Sequence, residues 1–131
     1  MIEREKLLAM HAEGFNCAQC VACAFQDKMG LDEKTVLALC GGFGGGLRFG
    51  EVCGAAIGAV MALSTQYPHV TANAPEEKAN NAEKTQEFMR RFTGRYTYAT
   101  CRDLKGKGKT PCNELICGAA EILDEMLTEE N

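Results

Sequence analysis

The sequence predicts an all-α fold, a compact bundle of about five to six helices with a glycine-rich loop between two of them. Apolar residues recur at spacings of three and four, and glycines and capping residues bracket those stretches. No stretch alternates apolar and polar residues as a half-buried strand would. With 131 residues, 46% of them hydrophobic, the chain is expected to form a single helical domain over residues 1–131.

Three helices are predicted in the N-terminal part of the chain. The first ends at Gly14, because glycine readily adopts the left-handed C-cap conformation. The second follows the capping residue Asn16 and runs over 17–29. The third begins after Asp32 and ends at Cys40.

Three further helices are predicted after the glycine-rich stretch. The fourth covers 53–64, and the fifth starts at Pro75 and ends at Gly94. A lysine-glycine loop over 105–109 precedes the last helix, which begins at Thr110-Pro111. The apolar stripe of that helix consists of Leu115, Ile116, Ala119, Ala120, Leu123 and Leu127.

Charge and hydropathy limit the classes of partner. The net charge is −4 and the isoelectric point about 5.2, so there is no global positive field for a phosphate backbone, and nucleic acid is not expected as a partner. The longest apolar run, 53–63, is shorter than the ~20 residues of a membrane-spanning helix. The first residues lack the apolar core of a secretory signal. A cytoplasmic protein without a membrane span is therefore expected.

The glycine-rich stretch CGGFGGGLRFGEVCGAAIGA, residues 40–59, matches neither a dinucleotide fingerprint nor a P-loop. Gly54, Gly58 and Ala62 recur every four residues, so one helix face lets another helix or another subunit approach the backbone closely. The second alternative predicts a homodimer. Arg48, between the glycines and Cys53, is a candidate partner for a thiolate or a substrate anion.

Cysteine is unusually frequent for a chain of this length. The eight cysteines are Cys17, Cys20, Cys23, Cys40, Cys53, Cys101, Cys112 and Cys117. The chain shows no export signal, and its core is large enough to be stable without disulfide cross-links. Metal binding or redox chemistry is therefore favoured over a disulfide scaffold. The alternative is that about half of them are buried small hydrophobes.

Helix starts single out four of these thiols. Cys17, Cys53 and Cys112 occupy predicted first helical turns, where the positive end of the helix dipole favours a thiolate. Cys101 is next to Arg102 and near the lysine loop, which acts in the same direction. These four are the candidate reactive or metal-binding residues.

The same four residues carry a family resemblance. GFNCAQ around Cys17, GEVCGAAIGA around Cys53, CRDL at Cys101 and CNELICGAAEIL at Cys112 resemble the C_GCAxxG_C_C family of cysteine-rich proteins. The resemblance covers about residues 14–123 and implies a small helical protein with a redox role. It names no reaction.

The additional cysteines include a CxxCxxC run, CAQCVAC, over 17–23. Its helical context and the lack of a following Cys-Pro argue against a ferredoxin cluster held by this run alone. Cys20 shares a helix face with Cys17 and is an additional candidate metal ligand, together with Cys53. No CxxCH is present, so covalent c-type haem is not predicted.

Two functions from different classes follow. The first is a thiol-disulfide redox protein, with Cys53 or Cys17 as the attacking thiolate and an unknown partner protein or small thiol as the other reactant. The second is a thiolate site for zinc or an iron–sulfur cluster, formed by Cys17, Cys53, Cys101 and Cys112. The sequence leaves open whether the chain is an enzyme of the thiol-disulfide oxidoreductase type.

Overall fold

A computed structural model describes residues 2–129, and in this range the chain is all-α, which confirms the predicted fold class. The helices are α1 (Arg4–Glu13), α2 (Cys17–Ala24), α3 (Gln26–Met29), α4 (Glu33–Cys40), α5 (Gly54–Gln66), α6 (Pro75–Tyr96), α7 (Cys101–Gly106) and α8 (Cys112–Glu129). A single π-type turn, Gly46–Gly50, lies between α4 and α5.

The helices α2 and α5 form the most extensive contact of the bundle. A Cβ added at Gly58 would lie 2.6 Å from the carbonyl oxygen of Ala18, so glycine allows the two backbones to meet. The face of Gly54 and Gly58 is therefore covered by α2 of the same chain, and the small-residue argument for a homodimer loses its basis. The helices α6 and α8 close the core with large side chains, among them Phe88, Phe92, Ile116 and Leu123.

The predicted helix over 17–29 is wrong as a single helix, because it breaks at Phe25. This residue is buried and leaves helical geometry, with φ −114° and ψ 16°, so α2 ends and the short α3 begins there. The prediction for Gly14 is confirmed, since its φ of 112° is left-handed. Asp32 occupies the N-cap of α4, but its side chain makes no capping hydrogen bond.

The predicted end of the fifth helix at Gly94 is also wrong. The helix α6 continues to Tyr96, whose ring packs on Phe92 with centroids 5.2 Å apart and whose hydroxyl donates to the Glu114 carboxylate at 2.6 Å. These tertiary contacts outweigh the stop preference of glycine. The apolar stripe predicted for the last helix is confirmed, since all six of its residues are buried in α8.

The helix α7 was not predicted. Thr100 caps it by accepting a hydrogen bond from the Asp103 amide at 3.2 Å. The pattern Thr-x-x-Asp at 100–103 is the local signal that could have indicated its start. Over residues 2–129, no helix combines the length and the apolar character needed to cross a membrane.

Candidate functional site

Four of the cysteines line one cavity of about 150 Å³. Cys17, Cys101 and Cys112 are the first residues of α2, α7 and α8, and Cys53 is the N-cap residue of α5. The structure thus brings together the four site residues that the sequence singled out, and places each at the start of a different helix. The predicted positions of Cys17 and Cys112 in first helical turns are confirmed. Cys53, predicted as the first residue of the fourth helix, lies one residue before the start of α5. The helix that starts at Cys101 was not predicted.

A short antiparallel contact holds two of the four thiols side by side. The segments 51–53 and 99–101 form an isolated β-bridge just before α5 and α7. The Cys53 amide donates to the carbonyl of Ala99 at 2.9 Å, and the Cys101 amide donates to the carbonyl of Glu51 at 2.7 Å. The starts of α5 and α7 are therefore fixed relative to each other by backbone hydrogen bonds.

The position of Cys17 depends on a capping box and on a glycine. The Asn16 side chain accepts from the Gln19 amide at 2.8 Å, and the Gln19 side chain accepts from the Asn16 amide at 2.9 Å. The Asn16 amide group also donates to the carbonyls of Cys40 and Gly41, each at 3.2 Å, which ties the start of α2 to the end of α4. The Cys17 sulfur lies where a side chain on residue 54 would be.

Burial opposes ionisation of two of the thiols. Cys53 is 3% exposed, and this burial raises its pKa to about 11, although the backbone amides of Ala56 and Ala55 at the start of α5 act in the opposite direction. Burial also raises the pKa of Cys101, with Lys105 opposing. The expectation that the helix start lowers the pKa is therefore wrong for Cys53, and the expectation that Arg102 and the lysine loop lower it is wrong for Cys101, because desolvation outweighs these effects at both thiols.

Lys105 is the cation of the cavity. Its ammonium group interacts with Cys112, and a negative charge on the Cys112 sulfur is the largest cause that raises the pKa of Lys105. Cys112 is half-buried and so more accessible than Cys53. The sequence predicts that the lysine loop acts on Cys101. It does not predict the interaction of Lys105 with Cys112, because that interaction depends on how α7 packs beside α8.

His11 also lines the cavity. It belongs to the last turn of α1, and its Nδ1 lies 2.8 Å from the side-chain oxygen of Asn113. The imidazole is thereby held at the start of α8, one residue from Cys112. His11 is not among the site residues that the sequence predicts, because its place in the cavity depends on how α1 packs against α8.

The remaining cysteines lie outside this cavity. Cys20 is buried and lines a different cavity, of about 510 Å³, together with Cys23 and residues of α1, and burial raises its pKa to about 12. It is therefore not positioned to join Cys17 and Cys53 as a ligand. Cys40 lies in the core with its sulfur 3.4 Å from that of Met61, and Cys117 is buried in α8.

Lining one cavity does not by itself make the four thiols a metal site. All eight cysteines are free thiols. Among residues 2–129, no group of three or more His, Cys, Asp or Glu side chains is arranged to hold a metal ion. The four thiols are neighbours around one space without forming a ready coordination shell.

The comparison with known families agrees with the cysteine pattern. The family model described as "Putative redox-active protein (C_GCAxxG_C_C)" matches residues 15–126. The chain belongs to the C_GCAxxG_C_C family. The matched range includes the four cavity cysteines, the glycine-rich turn and Lys105 of this C_GCAxxG_C_C protein. No curated protein and no solved structure matches the chain.

Proposed function

We propose that this protein is a thiol-disulfide redox protein that reacts at the four-cysteine cavity. The observation that carries the proposal is the convergence of four thiols, each at a helix start, on one space that also holds the Lys105 ammonium group. A thiolate is the nucleophile of thiol-disulfide exchange, and a neighbouring cation and helix N-terminus both favour it.

Cys112 is the best-placed attacking group. It is half-buried, it is the first residue of α8, and it interacts with the ammonium group of Lys105, which also lines the cavity. Cys53, favoured from the sequence, is buried with a pKa near 11, so very little of it is ionised at neutral pH. In the first step the Cys112 thiolate attacks one sulfur of a partner disulfide, forms a mixed disulfide and releases the other partner sulfur as a thiolate.

Cys101 is the resolving residue of the proposal. It interacts electrostatically with Cys112 and with Cys17, and Lys105 acts on it as well. Cys101 gives its proton to the partner thiolate released in the first step and then attacks the Cys112 sulfur. The bond between Cys112 and the partner breaks, an internal disulfide between Cys101 and Cys112 forms, and the second partner sulfur leaves as a thiolate. Two electrons pass to the partner disulfide, which is reduced to two thiols, while the two protein thiols are oxidised.

The test uses anaerobic native mass spectrometry of the reduced protein mixed with hydroxyethyl disulfide. The wild type is expected to lose two mass units as it forms the internal disulfide, and to regain them with mild reductant. Cys101→Ser should accumulate the mixed disulfide, and Cys112→Ser should form none. Cys23→Ser is the matched control, because Cys23 is a half-buried cysteine outside the cavity.

Two outcomes would overturn the proposal. Unchanged oxidation of the Cys112→Ser variant would remove Cys112 as the nucleophile. A stoichiometric increment of zinc, or of iron and sulfide with visible absorption, in the freshly purified protein would replace exchange by the thiolate metal site. The proposed location is the cytoplasm, a reducing compartment in which free thiols persist.

A further inference from the structure

The turn that leads into Cys53 exposes apolar side chains next to the cavity. Leu47, Phe49 and Val52 are 51%, 74% and 39% exposed, and all lie within six residues of Cys53. Gly45, just before them, lines the cavity. We call residues 46–52 the apolar turn.

The apolar turn holds its exposed side chains in a fixed and strained conformation. Leu47 and Arg48 both adopt left-handed backbone geometry, with φ of 61° and 55°, which non-glycine residues rarely do. The Arg102 guanidinium donates to the carbonyl of Phe49 at 3.1 Å, and that of Arg48 donates to the carbonyl of Gly41 at 3.0 Å. Strain kept in place by surrounding hydrogen bonds is typical of a binding segment.

Two arginines next to the cavity, one of them in the apolar turn, form no salt bridge within residues 2–129. Arg4, Arg90, Arg91 and Arg95 all form salt bridges with glutamates on other parts of the bundle. Among residues 2–129, neither Arg48 nor Arg102 has a carboxylate within salt-bridge distance, and each donates to a backbone carbonyl instead. Arg48, Arg102 and the cavity residue Lys105 thus supply three cations at or near the apolar turn, against the one exposed carboxylate of the turn itself, Glu51, in a protein whose net charge is −4.

The exposed apolar side chains and the cations favour one class of binding partner at the apolar turn. A symmetric contact between two copies of the chain would bring one carboxylate of the turn, Glu51, for every three of these cations, so most of the positive charge would stay uncompensated. A small disulfide that enters the cavity of about 150 Å³ would leave Phe49 uncovered. A partner protein with apolar and acidic side chains satisfies both the exposed apolar groups and the cations.

We infer that the apolar turn is the docking edge for a redox partner protein, which presents an apolar segment with acidic residues beside its disulfide. This inference rests on the proposed function and deepens it, because it names the class of substrate. Phe49 supplies the apolar anchor, while Arg48 and Arg102 supply the charge that selects an acidic partner.

Two synthetic peptide disulfides test the inference, one with leucine and aspartate around the cystine and one with leucine and lysine. The reduced protein should reduce the acidic peptide roughly ten-fold faster or more, and the difference should shrink at high salt. Phe49→Ser should slow reduction of the acidic peptide about ten-fold and leave the rate with hydroxyethyl disulfide unchanged. Val70→Ser is the control, because Val70 is 81% exposed and lies in another loop.

The charge contribution is tested in the same assay. Arg48→Gln should reduce the preference for the acidic peptide, whereas Lys34→Gln, at an exposed residue of α4, should not change it. Equal rates for the two peptides, or an equal effect of Phe49→Ser and Val70→Ser, would overturn the docking edge while leaving the exchange reaction intact.

Binding of the S-methylated peptides, followed by fluorescence anisotropy, separates docking from chemistry. Selective binding of the acidic peptide, lost in Phe49→Ser, would support the docking edge even if no disulfide were reduced, and in that case only the exchange function would fail. Absence of selective binding by either peptide would contradict the docking edge.

Discussion

The thiol of Cys17 lies against the bare backbone of Gly54, so that a Cβ added at residue 54 would stand 2.5 Å from its sulfur. The same Cβ would lie 2.6 Å from the carbonyl oxygen of Phe43. The glycine that follows Cys53 in the CGAAIG box therefore makes room for a second cysteine of the site. It links the start of α2 to the start of α5.

Gly54→Ala is expected to displace the Cys17 thiol and to lower the free energy of unfolding by about 1–3 kcal/mol, as overpacking does. The measurement is urea unfolding together with the alkylation rate of Cys17. Gly94→Ala is the matched control: it is a helical glycine with nothing within 4 Å of an added Cβ, and it should gain up to about 1 kcal/mol. A neutral or stabilising Gly54→Ala would contradict the close contact.

Asn16→Asp should destabilise the protein, although aspartate is favourable at most helix starts. The variant keeps the oxygen that accepts from the Gln19 amide, but it replaces the group that donates to the carbonyls of Cys40 and Gly41. An anionic oxygen would then face two carbonyl oxygens, at a loss of roughly 2 kcal/mol in the free energy of unfolding.

Asn16→Ser is the comparison for that prediction, because serine retains a capping oxygen without the extra charge. Thermal unfolding should rank the wild type first, Asn16→Ser second and Asn16→Asp last. A ranking with Asn16→Asp at or above the wild type would indicate that the helix dipole controls this site and that the two carbonyl contacts contribute nothing.

The parts of the fold that the sequence predicts correctly depend on local signals. Asn16, Gly14 and the stripe of α8 act within one or two helical turns, so a capping residue or a 3.6-residue period is enough to find them. The positions of Cys17 and Cys112 at helix starts follow from the same signals. Their meeting around one cavity does not, because the order of helices along the chain leaves the packing of the bundle undetermined.

The parts that could not be predicted depend on tertiary contacts. Gly94 stops no helix because Tyr96, one half-turn later, gains its contact with Phe92 and its hydrogen bond to Glu114. Lys105 pairs with Cys112 across the turn between α7 and α8, and burial raises the pKa of Cys53. A helix start predicts where a thiol sits, but the pKa of that thiol depends on how much water reaches it.

Lys105→Met should slow the reaction of Cys112 with iodoacetamide at neutral pH. The variant removes the ammonium group that interacts with Cys112, and an interaction of about 1 kcal/mol at a partly exposed pair corresponds to roughly a five-fold change in rate. Mass spectrometry after timed alkylation gives the rate for that residue. Lys107→Met is the control, because Lys107 is paired with Asp103 and does not line the cavity. Equal rates for the two variants would show that Lys105 has no effect on Cys112.

The buried thiol of Cys53 predicts a loss of stability in alkaline solution. Its pKa is raised from the ordinary value of 9.0 to about 11 in the folded protein, so between these values the folded state holds a proton that the unfolded chain has lost. The stabilising contribution is present in full below pH 9, and it is lost as the pH rises to about 11. The change in the free energy of unfolding is roughly 2–3 kcal/mol.

Two substitutions separate the ionisation of Cys53 from its packing. Cys53→Ala removes the titrating thiol and leaves a smaller apolar side chain at this buried position, so it should lose about 1 kcal/mol of packing already at pH 7. Cys53→Ser also removes the titrating thiol, and its buried hydroxyl should lower the stability at pH 7 by roughly 1–3 kcal/mol. Both variants should show a smaller decline in the free energy of unfolding between pH 9 and 11, measured in urea. A decline as steep as in the wild type would assign the alkaline loss to the other buried thiols, of which Cys20 has its pKa raised to about 12.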